Sequence, residues 1–131
     1  MNGIQINKLF RKLICGNDSI TALVKKSNIQ PMVLAPSEFP FISFMHGEVV
    51  PNYSKASRVV DEMEESIAIV SDKYEEAIEI AQMIREQFEF KQYDDKDIYI
   101  PLFEITSIRE DSISHSYFVE IVFKFEIQTK N

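Results

Sequence analysis

The chain holds 131 residues, 45% hydrophobic and 27% charged, which is the composition of one globular domain and too little length for two. A net charge of −7 argues against a face that grips nucleic acid, because phosphates are neutralised by clustered Lys and Arg. Cys15 is the one cysteine and cannot form an internal disulfide, and charge interrupts every apolar run before it could span a bilayer, so a cytoplasmic protein with no membrane partner is expected.

Ile6, Leu9, Phe10, Leu13 and Ile14 recur at steps of three and four and mark an amphipathic helix, with Gly16 placed for a left-handed C-terminal cap. Asp18 is positioned to cap a second short helix with Ile20, Leu23 and Val24 inward, giving a helical N-terminal region over 4–27. Pro31, Pro36 and Pro40 forbid helix through the next stretch. Met32-Val33-Leu34 reads as a short edge strand and Phe41–Met45 as a second strand. Residues 47–57, with Gly47, Pro51 and several small polar groups, have the composition of a loop.

Arg58–Val70 reads as a long strand or a bent pair of strand pieces. Asp72, with Glu75 three residues on, has capping-box spacing for the helix that follows. Tyr74, Ala77, Ile78, Ala81, Ile84 and Phe88 line one side of that helix, and Glu75, Glu76, Glu79, Gln82, Arg85 and Glu86 fall mainly on the other. An acidic turn at Asp94, Asp95 and Asp97 precedes two last strands, Leu102–Glu110 and Tyr117–Gln128. In the last of these, Tyr117, Val119, Ile121, Phe123, Phe125 and Ile127 share one face and require a cover. The order predicts a single α+β domain over 1–131: an antiparallel or mixed sheet of four to five strands, with sheet and main helix over 32–128 and the helices packed on one face. Phe118 and Val122 leave the other face half apolar, the character of a subunit contact.

Chemistry is sparse. Gly3, Gly16 and Gly47 lie too far apart for a phosphate-binding loop, and no cofactor is expected. His46 and His115 have no partner at metal-ligand spacing; His46 is expected to close a strand end and His115 to sit exposed in a hairpin turn. Asp94-Asp95-Lys96-Asp97 lacks the glycine and closing Glu of a calcium loop and reads as a solvated turn. Glu62, Glu64 and Glu65, beside Asp61, could supply acid–base carboxylates, but on an edge strand such charges discourage wrong pairing. Cys15, at a helix end among apolar neighbours, reads as a packed thiol. No catalytic residues are assigned, and no enzyme is expected.

Three segments resemble a known group. DSITALV followed by MVLAPSEFPFISF, then IAIVSDKYEEAIEIAQMIREQF, then ITSIREDSISHSYFVEIVFKFEI, in this order over about residues 18–128, are similar to the tail-completion or tail-terminator proteins of long-tailed bacteriophages, including a small prophage form. The resemblance implies a tail-terminator-like fold and a virion structural protein, assembled in the bacterial cytoplasm. It implies partners as well: copies of itself in a ring, usually a hexamer, on the end of the tail tube, the major tail tube protein and the head–tail connector protein. DNA would pass through such a ring without being specifically bound, and an acidic wall suits that passage. On that footing the 47–57 loop and the Arg109–Ser116 hairpin are the expected contacts, with Tyr53, Lys55, Arg58, Arg109, Phe118 and Val122 as interface residues. The loop departs from the group in having no glycine after Gly47. The alternative is a stand-alone ligand-binding or regulatory α+β domain with a pocket at the sheet rim.

Overall fold

Alternation of apolar and polar side chains after His115 does produce the long strand it predicts. The computed structural model, which describes residues 1–32, 38–53 and 60–130, extends it over Ser116–Thr129. In chain order the elements are helices α1 (Ile6–Cys15) and α2 (Asp18–Thr21), strands β1 (Ile29–Pro31), β2 (Phe41–Asn52) and β3 (Val60–Ser71), helix α3 (Tyr74–Phe88), and strands β4 (Tyr93–Asp94), β5 (Ile98–Ile100), β6 (Glu104–Ile113) and β7 (Ser116–Thr129). The strands form one mixed sheet in the order β1-β2-β3-β7-β5-β4, in which only the β1–β2 pair is parallel.

β7 is where the sheet forks. One of its edges is taken by β3 from Tyr117 to Gln128. The other edge is shared: β6 pairs along residues 116–124, and β5 pairs at Gln128 and Thr129. The sheet therefore curls into a half-barrel of seven strands, rather than the sheet of four to five strands expected. The difference comes mainly from the acidic turn. The Asp95 carboxylate accepts from the backbone N–H groups of Asp97 (2.7 Å) and Ile98 (2.9 Å), and this Asx turn joins β4 to β5.

Helices cover the concave face. α1 buries Ile6, Leu9, Phe10 and Ile14 against β1 and β2, and α3 buries Ala77, Ile80, Ala81, Ile84 and Phe88 against β3 and β7. Ile80 takes the central place expected for Ile78, which is only half-buried, and Tyr74 is exposed. Phe10, Phe88, Phe103, Phe123 and Phe125 meet edge-on or tilted at 5.0–6.3 Å between centroids, tying both helices to the β5–β6 corner and β7. Val119, Ile121, Phe123, Phe125 and Ile127 are buried below them, while Tyr117 lies at the rim beside Tyr74.

Several local expectations are corrected. Residues 47–52 are strand: a bulge between His46 and Val49 absorbs Gly47 and Glu48, and β2 resumes to Asn52. A short parallel strand lies at Ile29–Pro31 and Met32, with φ 51°, is outside it; the rest of the strand expected at Met32-Val33-Leu34 falls outside the described residues. Gly16 has φ −82°, so α1 ends without a left-handed cap. Asn17, not Asp18, caps α2. At α3 the Asp72 box does not form. Ser71 accepts from the Lys73 N–H (3.1 Å) and donates to Glu76 (2.7 Å), because Ser71 points inward at the strand end where the chain turns.

Candidate functional site

β3 sorts its acidic residues by alternation. Asp61, Met63, Glu65, Ile67 and Ile69 point to the helices, and Glu62 and Glu64 point to the convex face. The strand lies between β2 and β7, so its charges guard no edge, contrary to the expectation. Nor can Glu62, Glu64 and Glu65 act as one carboxylate cluster, since the sheet separates them.

Glu65 is completely buried, and burial pushes its carboxyl pKa up to about 8. The side-chain amide of Asn7, on the first turn of α1, faces it at 2.6 Å from Oε2. Four residues earlier, the Gly3 N–H donates to Asp61 Oδ2 at 2.8 Å. His46 is the cross-strand partner of Glu65 and sits in the middle of β2, not at a strand end; its Nδ1 is buried without a partner among the described residues. These polar groups lie beneath the N-terminal segment, where no substrate reaches Glu65. A period-two reading of residues 60–71 carries the signal that would have placed Glu65 inside.

The convex face runs from apolar to acidic. At one end Phe41, Val70 and Phe118 form a cross-strand row, with Phe39 stacked on Phe41 at 6.1 Å. Next come Arg109 and Glu120, paired across β6 and β7 at 2.9 Å, with the guanidinium 5.1 Å from the centre of the Phe118 ring. That contact holds the Glu120 carboxyl below its ordinary range, helped by the Ser66 hydroxyl at 2.8 Å, while desolvation opposes it. Val122 follows, between Ser66 and Ser107. Beyond it lie Glu62 opposite Glu126, and Lys124 between Glu64 and Glu104. Two open grooves of about 330 and 270 Å³ adjoin there, sharing Glu62 and Lys124.

β6 is the second exposed feature. It pairs with β7 alone, and every residue but Ile105 is exposed, including Ile108 and Ile113. Its outer edge pairs with no strand among the described residues, and a free edge of ten residues is a template for strand addition. His115 lies in the β6–β7 turn, exposed, with φ 68°, as expected.

Of the expected interface residues, Arg109, Phe118 and Val122 gather on this face. Tyr53 is exposed at the far end of β2, away from them, and Lys55 and Arg58 lie outside the described residues. Among the described residues no group of His, Cys, Asp and Glu is arranged to hold a metal.

No protein-family model matches the chain, and no curated protein matches it. Solved structures do. One is a chain of the virion of a native gene transfer agent particle, which superposes with a TM-score of 0.72 at 10% identity, over 89% of this chain and 90% of that one. The two chains share a fold.

Proposed function

We propose that this chain is a virion structural protein of the tail-terminator type, forming an oligomeric ring that caps the tail tube and joins it to the head connector, without turning over any substrate. The observation that carries the reading is the fold shared with a virion protein across about nine-tenths of both chains. The order of the three sequence segments supports the same reading independently of that comparison. Among the described residues the molecule also has what such a role requires: an unpaired strand edge at β6 and a convex sheet face that no helix covers. Contact fits its fixed groups better than chemistry: among the described residues, the carboxyl with a strongly raised pKa, that of Glu65, is sealed beneath α1.

Sizing chromatography with light scattering, on the chain alone and with its tail tube protein, tests the reading. A discrete ring is expected, and negative-stain images should show it seated on tube ends. A strict monomer under both conditions overturns it.

A further inference from the structure

We propose that copies of this chain associate head to tail, with the basic surface of α1 on one copy seated on the acidic end of the convex face of the next. This rests on the ring reading and names the contact that builds the ring.

Charge is divided unevenly along the chain. The first 32 residues hold Lys8, Arg11, Lys12, Lys25 and Lys26 against Asp18, a net of +4; nine cations against twenty acids leave −11 for the rest. The basic part forms one surface. Lys8 and Lys12 are exposed one turn apart on α1. Arg11 between them donates to the backbone carbonyls of Ile29 (3.1 Å) and Lys26 (3.3 Å), which brings Lys26 alongside; among the described residues no carboxylate pairs with the guanidinium. Lys25 is drawn aside to Glu38.

The acidic part is its counterpart in sign and size. Among the described residues, Glu48, Glu62, Glu64 and Glu104 lie around Lys124 along the two adjoining grooves of the convex face. α1 covers the concave face, so within one chain the two surfaces are separated by the sheet and cannot meet. An acidic surface placed against its own copy repels, which disfavours a two-fold contact through this face. Basic against acidic uses two different patches on each copy, and such a heterologous contact repeats into a ring when its rotation closes.

Two charge-reversed variants test this: Lys8→Glu with Lys12→Glu, and Glu62→Lys with Glu64→Lys. All four positions are solvent-facing, and circular dichroism checks that each variant folds. The full-length wild type is expected to associate at low ionic strength, with the association constant falling at least about tenfold at high salt. Each variant alone should associate at least about tenfold more weakly than wild type. Mixed in equal amounts, the two variants present opposite charges at both junctions and should restore assembly as an alternating ring. If wild type assembles and either variant assembles equally well, or the mixture fails to recover, the contact is overturned while the ring reading stands. A wild type that forms rings only on the tube, with salt-independent affinity, likewise overturns the contact alone.

Discussion

The side-chain amide of Asn7 faces the carboxyl of Glu65 at 2.6 Å, beneath α1 and out of reach of solvent. Either protonation state of Glu65 finds a partner there. The amide nitrogen donates to a carboxylate, and the amide oxygen accepts from a carboxylic acid, for which 2.6 Å is an ordinary O–H···O separation. Burial raises the pKa from 4.5 to about 8, so the folded protein holds this proton through neutral pH while the unfolded chain releases it.

The sign of the pH dependence follows. A carboxyl whose pKa is raised by folding contributes fully below the unfolded value, and the contribution is lost as pH rises through the folded one. Stability from this group should therefore decline between pH 4.5 and about 8. Glu65→Gln keeps a hydrogen-bonding partner for Asn7 and removes the titration. Its advantage over wild type should be near zero at pH 4.5 and grow to on the order of 4 kcal/mol by pH 8, read from urea midpoints across that range. A constant difference across pH would show that Glu65 does not govern it.

Gly3 is required by contact. A Cβ there would lie 2.7 Å from Val49 Cγ1, 3.0 Å from Asp61 Oδ2 and 3.2 Å from Met63 Sδ, where the N-terminal turn presses on β2 and β3. Gly3→Ala should cost roughly 1–3 kcal/mol and expose the Ile6 amide to faster hydrogen exchange, because the segment must lift to make room. Asp61→Ala removes the acceptor of the Gly3 N–H and should loosen the same amides without the clash.

These two anchors also mark how far the sequence could be read. The alternation of β7 and the three-to-four spacing of α1 and α3 follow from simple periodicity, and both are plain because each element buries one continuous face. The full length of β2 was hidden because Gly47 and Pro51 carry loop composition, yet a bulge accommodates the first and the strand pairing continues through the second. β4 and β5 are too short for any period to register, and the Asx turn at Asp95 makes an acidic stretch into a hairpin. The convex face was legible in part. Phe118 and Val122 stand out among charges, but Arg109 joins them only through register, and Glu62 meets Glu126 from 64 positions away.

Ser71 closes the start of α3 in place of the expected box. It is fully buried, accepts from the Lys73 N–H and donates to Glu76. Ser71→Ala leaves that part-buried N–H without its acceptor and should cost about 1 kcal/mol, whereas Asp72→Ala should cost only a few tenths. Thermal or urea denaturation of the two variants side by side checks the order; an equal loss would return the capping role to Asp72.

Arg109 separates a contact residue from a structural one. Its side chain is mostly exposed, held by Glu120 at 2.9 Å and lying over Phe118, and Glu120 keeps the Ser66 hydroxyl when Arg109 is removed. A surface ion pair of this kind adds little to folding. Arg109→Ala should therefore leave the urea midpoint almost unchanged at neutral pH. What remains of its effect should vanish in acid, because Glu120, whose carboxyl pKa is lowered by Arg109, loses its charge as pH falls through the folded value. Assembly should respond differently. The apolar row lies apart from the junction proposed for α1, so a contact made there is a second one. With the guanidinium gone, Phe118 loses its cover and that second contact should weaken, lowering the association constant by about tenfold in light scattering over a dilution series. Unchanged assembly would remove Arg109 from the contact; a large loss of stability would make it part of the fold.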